Sequence, residues 1–192
     1  MVAAAEKAGA DVADARQAAE TVARRAEGIL RFVESYREFA QTPEVHRRSF
    51  KAGPWAEEIL RLALASAGER KVEGRVEVRP KSLSLTADPE LLAHAVLNLL
   101  RNGIRATNDS AAPAVALTVQ REPNGRFRID VEDNGPGIPQ DRREDIFLPF
   151  YTTHKGGSGV GLSFARQVAL AHGGSIVALE SAAGGADLRI VI

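Results

Sequence analysis

Between Asn98 and Ser163 the aliphatic pattern of the chain is broken four times by clusters of glycine and polar residues, and the order of those breaks constrains the fold. The first lies on a helical pattern, the second at a strand end, the third in a loop and the fourth at a helix start. The elements between them follow from their periods. Residues 55–67 read as a helix with Trp55, Ile59, Leu62 and Leu64 as core candidates, and Val76, Val78, Leu83 and Leu85 alternate as two short strands around Pro80. Asp88 is a favoured N-cap and Pro89 a favoured first residue for a helix reaching about Thr107. Strands at 114–121 and 126–132 flank Asn124-Gly125, a hairpin signal. A short helix near 140–146 and a helix at 160–172 follow. Strands at 174–180 and 187–192 close the chain, meeting across Ala183-Gly184-Gly185. Grouped strands and helices of this kind predict an α+β fold, a two-layer α/β sandwich whose mixed, largely antiparallel sheet carries its helices on one face.

Ahead of that module, residues 14–41 contain no proline and only one glycine, Gly28. Ala15, Ala19, Val22, Ala26, Ile29, Val33, Tyr36 and Ala40 are spaced alternately four and three, with Phe32 and Phe39 widening the seam. At 1.5 Å per residue this coiled-coil-like helix would run roughly 40 Å, too long for the small module to cover, so it is expected to pair with another helix. Pro43 should end it. The expected organisation is a partial bundle helix in residues 1–42, a connector in 43–54 and a globular domain in 55–192.

Composition excludes several classes. The 25 Lys and Arg balance 25 Asp and Glu, which gives no support for a nucleic-acid partner. With no cysteine, disulfide frameworks, zinc fingers and thiol nucleophiles drop out. No apolar run approaches the roughly 18–20 residues that span a bilayer, so no membrane contact is expected from this segment. A cytoplasmic location is expected, compatible with a membrane anchor elsewhere in an intact protein.

The chemistry lies in the clusters. Asn98, Asn102 and Arg105 sit at i, i+4 and i+7 and share one helical face, offering amide oxygens to a hard cation and a positive charge to a phosphate. Taken alone, the same face also fits a solvated polar stripe. Asp133-Asn134-Gly135-Pro136-Gly137-Ile138 follows a strand, where a carboxylate and close glycines admit a planar ligand or simply form a turn. Phe147 to Thr153 is an apolar anchor leading into a loop with His154 and Lys155. Gly157, Gly159 and Gly161 run into a helix start, whose free N–H groups suit phosphate. The run fits neither the Walker pattern nor the dinucleotide fingerprint.

In this order, NLLRNGIRA, DNGPGI, FLPFYTT and GSGVGLS resemble the N, G1, F and G2 boxes of the GHKL ATPase superfamily, and within it the sensor histidine kinases. The AHGGSI and AGGADLRIVI segments resemble the usual C-terminal strands. The helix ending SYREFAQTP looks like the second helix of a dimerisation bundle, closest to nitrogen-regulation sensors. The resemblance implies a Bergerat fold and binding of Mg²⁺ and ATP. It implies that Asp133 binds the adenine amine, with Gly135, Gly137 and Ile138 around the base. Asn102 would hold Mg²⁺, assisted by Asn98, and Arg105 would contact phosphate. Tyr151, Thr152, Thr153, Lys155, Gly157 and Ser158 would form a lid, with Gly159, Val160, Gly161 and Leu162 at the triphosphate.

Departures accompany the match. Gly103 replaces a customary alanine, His154 precedes the lid's Lys155, and Leu188 stands for a common phenylalanine. None of His46, His94, His154 and His172 lies in the H-E-x-x-x-P context of a phospho-accepting histidine. The function implied is therefore the catalytic part of a two-component histidine kinase, transferring the γ-phosphate of ATP to a histidine on a bundle helix outside this chain, without labelling itself. Implied partners are a second copy through the N-terminal helix, the histidine-bearing helix and a response regulator. The alternative is a nucleotide-binding interaction module without kinase activity. Hydrolytic relatives usually carry a glutamate at Asn98, and an amide cannot accept a proton as general base.

Overall fold

The computed structural model describes residues 16–23, 26, 44–153 and 158–192. Residues 16–23 are helical, and the rest of the heptad seam, from Ala15 through Ile29, Val33, Phe39 and Ala40, falls outside the described residues apart from Ala19, Val22 and Ala26.

The sequence 43–54 was expected to be a featureless connector. It contains strand β1 (Arg48–Lys51) and the start of helix α1 (Ala52–Ala65). β1 pairs antiparallel with β3 (Ser84–Ala87) in a small separate sheet, Phe50 facing Leu85 in register. An alternation of four residues among basic side chains is too short to show a period.

α1 buries Ala52, Ala56, Ile59, Leu60 and Ala63. The stripe is centred on alanines, which let the helix sit close, so Leu62 is left 44% exposed rather than in the core. Trp55 is half-buried, its Nε1 donating to the Pro89 carbonyl at 3.1 Å.

The main sheet has five strands in the order β2 (Glu73–Arg79), β4 (Ala114–Arg121), β5 (Phe127–Asp133), β7 (Ala186–Val191), β6 (Ser175–Glu180). β2 runs parallel to β4, and every other pairing is antiparallel. Cross-strand pairs Val119–Ile129, Leu117–Val131, Ile129–Ile190 and Ala178–Leu188 fill one face. Helices α1, α2 (Pro89–Ala106) and α3 (Gly161–Ala171) pack on that face, so the expected two-layer α+β sandwich is the observed one. In place of one short helix near 140–146 there are two separate 3₁₀ turns, Gln140–Arg142 and Asp145–Phe147.

The other sheet face carries a charge network. The buried Asp130 accepts from Arg128 Nε at 2.7 Å and Arg189 Nε at 2.5 Å, and Arg189 also donates to Asp187 Oδ2 at 2.7 Å. Asp187 Oδ1 is buried without a hydrogen bond among the described residues. Burial, reinforced by the charge of Asp130 and opposed by Arg189, pushes the Asp187 carboxyl up to about 6.

Candidate functional site

α2 is the backbone of the site. Its N-cap Asp88 accepts from Glu90 N and Leu91 N through Oδ1 and from His46 N through Oδ2. Leu92, Val96, Leu99, Leu100 and Ile104 are buried on one side, which turns Asn98, Asn102 and Arg105 to the other. There they line a cavity of about 540 Å³, within the usual size of a small-molecule site.

β5 delivers Asp133 to the same cavity. Along β5 the side chains alternate, so Asp133 shares the helix-facing side with Ile129 and Val131. Its Oδ1 accepts from Gly135 N at 2.9 Å and Ala186 N at 3.2 Å. Oδ2 accepts nothing among the described residues. Burial pushes this carboxyl up from its ordinary value, and the two backbone donors oppose the shift.

Close backbone approach makes that position possible. A Cβ on Gly185 would lie 2.2 Å from the Asp133 carbonyl oxygen, and one on Gly135 would lie 2.8 Å from the Ala106 carbonyl oxygen. Gly103 brings α2 against the same aspartate, a Cβ there falling 3.3 Å from Asp133 Cβ. The alanine absent at 103 thus meets a site with little spare room.

α3 closes the cavity. Its first residue Gly161 packs against Asn98, where an added Cβ would lie 3.4 Å from the amide carbon. The helix start has no side-chain cap, so its positive end is open to an anion. The loop preceding it is tied at its base: Phe150 N donates to the Gly159 carbonyl at 2.9 Å, and both residues have positive φ, +65° and +68°.

Of the residues singled out in the sequence, Asn98, Asn102, Arg105, Asp133, Gly137, Ile138, Tyr151, Thr152, Thr153, Ser158, Gly159, Gly161 and Leu162 line this one cavity. Gly135 and Val160 lie behind the wall: the first packs on the end of α2 and the second is buried in the core. Lys155 and Gly157, with His154, are outside the described residues. Leu188, noted for replacing a phenylalanine, also lines the cavity, as do Asn108, Asp109, Ile146 and Ala186, which the motifs did not flag. Asn108 and Asp109 follow the helix with no period or motif, and only their position after α2 places them here.

The polar groups fit a metal–polyphosphate ligand. The amides of Asn98 and Asn102 make no hydrogen bond among the described residues, and amide oxygen is a hard donor suited to Mg²⁺. Asn102 adjoins Gly103, whereas Asn98 lies five residues from it, about 7.5 Å along the helix axis at 1.5 Å per residue, so the pair of amides runs away from Asp133. One end of the cavity therefore presents a buried carboxylate, and the stretch along α2 presents neutral oxygen ligands and a cation.

Comparison with known proteins identifies the family. Residues 87–192 match the family described as histidine kinase-, DNA gyrase B- and HSP90-like ATPase. The chain is 31% identical over 172 residues to the sensor protein FixL of Bradyrhizobium diazoefficiens, covering 88% of this chain and 34% of that protein. It is 30% identical over 180 residues to the sensor histidine kinase ZraS of Klebsiella oxytoca, covering 94% of this chain and 38% of that protein. It thus spans a little over a third of these relatives. Among solved structures, the catalytic domain of histidine kinase ThkA superposes with a TM-score of 0.68 at 26% identity, over 77% of this chain and 95% of that one. Full-length ShkA in complex with AMPPNP gives 0.77 at 26% identity, over 89% of this chain and 37% of that one. The chain belongs to the histidine kinase-, DNA gyrase B- and HSP90-like ATPase family, and within it resembles the catalytic domains of sensor histidine kinases.

Proposed function

We propose that this chain binds Mg²⁺ and ATP and is the catalytic part of a two-component sensor histidine kinase, directing the γ-phosphate to a histidine on a bundle helix. The observation that carries this reading is one cavity in which, among the described residues, Asp133 keeps a free carboxylate oxygen while Asn98 and Asn102 keep unengaged amides on the neighbouring helix. Asp133 Oδ2 would accept from the adenine amine, with Gly137 and Ile138 beside the base. Asn102, assisted by Asn98, would hold the metal, which neutralises phosphate charge when bound. Arg105 and the N-terminus of α3 would receive phosphate oxygens, with Tyr151, Thr152, Thr153 and Ser158 along the adjoining loop.

Phosphoryl transfer depends on positioning and charge neutralisation rather than on a reactive protein nucleophile. In the transfer, a nitrogen of the acceptor imidazole bonds to the γ-phosphorus, the bond to the bridging oxygen breaks, and ADP leaves. The family's acceptor context is missing at all four histidines, which supports an acceptor on another helix. The heptad seam supports a homodimer through the N-terminal helix, and the ending SYREFAQTP supports a sensor of the nitrogen-regulation type. A response regulator would receive the phosphoryl group.

Calorimetric titration with adenine nucleotide and Mg²⁺ tests the reading. Binding is expected for the wild type and loss of affinity for Asp133→Ala; an unchanged affinity removes the adenine assignment. With radioactive ATP, a supplied bundle carrying the acceptor helix should become labelled while the chain alone does not. If the bundle stays unlabelled although nucleotide binds, the chain is an interaction module instead.

A further inference from the structure

A second cavity, of about 340 Å³, opens where four separate parts of the chain converge. The incoming segment ahead of β1 brings Arg47, β3 brings Thr86, the β4–β5 turn brings Asn124 and Arg126, and the end of α3 brings His172. This cavity shares no lining residue with the one along α2. Its volume is near the lower end for small-molecule sites, enough for one compact group.

Its charge is unbalanced. Two arginines line it and no acidic side chain does. Glu122, at the same turn, is outside the lining and accepts from Asn124 Nδ2 at 3.3 Å. Asn124 Oδ1 accepts from Arg126 N at 2.9 Å, so the asparagine is spent on shaping the turn. His172 is committed too: Nδ1 lies 2.8 Å from the Val168 carbonyl, and Nε2 accepts from Asp88 N at 3.1 Å. Its carbonyl accepts from Arg47 Nη2 at 2.8 Å, which anchors that guanidinium at the cavity wall with most of its five N–H groups still available. Among the described residues, the Arg126 guanidinium and the Thr86 hydroxyl make no hydrogen bond, and neither arginine is in an ion pair.

Two uncompensated guanidinium groups facing no carboxylate favour an oxyanion. Two forks and a hydroxyl offer more donors, from more directions, than the two coplanar oxygens of a carboxylate can use. A tetrahedral phosphate has three free oxygens to receive them. We propose that this cavity binds a phosphate group, held by the forks of Arg47 and Arg126 with the Thr86 hydroxyl as a third donor. The site is separate from the nucleotide cavity and does not depend on what fills that cavity.

Residue-resolved NMR on the full chain, titrated with inorganic phosphate against chloride at matched ionic strength, tests this. The amides of Thr86, Gly125, Arg126 and His172 should shift together and saturate, with a Kd on the order of millimolar. Arg126→Gln breaks no bond of its side chain among the described residues and should weaken binding by about tenfold or more, at an unchanged melting temperature. Arg47→Gln should weaken it comparably, and its melting temperature shows whether the fold is kept. Glycerol 3-phosphate identifies the source: tighter binding than phosphate assigns a phosphorylated molecule, and weaker binding assigns the free ion. Shifts confined to the start of α3 around Gly161, or a response no different from that to chloride, overturn the site. Full affinity in Arg126→Gln overturns it too, and equal saturation of the same amides by acetate overturns the choice of phosphate.

Discussion

The backbone N–H of Ala186 donates to Oδ1 of Asp133 at 3.2 Å, so the last hairpin of the chain fixes a carboxylate at the end of β5. Gly135 N holds the same oxygen, so an amide placed here would turn its oxygen, not its nitrogen, to the two donors. Asp133→Asn should therefore keep its place through Oδ1 while presenting an amide donor where Oδ2 accepted. Nucleotide affinity is expected to fall at least about tenfold, the scale of a lost charge-assisted bond. Thermal stability should hold or rise, because burial raises the carboxyl's pKa and its ionised form costs the fold stability near neutral pH. Calorimetry and thermal unfolding of the same variant check both signs.

Asp187 gives a pH prediction of defined sign. Its folded pKa of about 6 lies above an unfolded value near 3.8, so the folded state binds the extra proton between those limits. Its contribution to stability is fully present below the unfolded value and is lost as pH rises through about 6. The span corresponds to up to about 3 kcal/mol. Asp187→Asn should raise the melting temperature at pH 8 and have little effect at pH 4, as followed by unfolding across that range.

Asp88→Ala removes the N-cap of α2 and the acceptor for His46 N. A loss of about 1–2 kcal/mol is expected in denaturant unfolding. Burial pushes the Asp88 carboxyl up, but the N–H groups of Leu91, His46 and Glu90, with His172 nearby, outweigh it and hold the pKa below its ordinary value. The wild-type advantage over this variant should be complete at neutral pH and shrink as pH falls through that lowered value.

Gly159→Ala should be costlier than an ordinary turn glycine. A Cβ there would lie 2.5 Å from the Phe150 carbonyl carbon, on a residue with φ +68°. Gly125 has φ +87° but open space around it, so Gly125→Ala isolates the backbone cost. We expect about 1 kcal/mol for the Gly125 variant and at least about 2 kcal/mol for the Gly159 variant. Only the latter should also weaken nucleotide binding. Equal losses would show that the contact with Phe150 contributes nothing.

The parts of the fold written in long apolar periods were legible. The helix from Asp88 and both hairpins stand where their caps, turns and alternation place them. The strand Arg48–Lys51 was missed because its pairing with β3 is a tertiary contact between short segments. On α1, Ile59 is buried and Trp55 and Leu64 pack against the core as expected, while Leu62 stays exposed because the centre of the buried face is alanine, where closeness rather than side-chain size decides burial. At the site, glycine and asparagine spacing identified most of the lining, since those residues answer to backbone geometry. Asn108 and Asp109 belong to a loop whose place depends on Arg70 and Asn134, and no local pattern announces such long-range fastening.

The tie between His46 and Asp88 also sets where mechanical load can go. Arg47 is bonded to the His172 carbonyl at 2.8 Å, while His172 Nε2 accepts from Asp88 N at 3.1 Å. The incoming chain, the origin of one helix and the terminus of another thus share a single rivet. Tension or twist arriving through residue 44 would act first on the start of α2, and a rigid α2 would carry it along its axis toward Asn98 and Asn102.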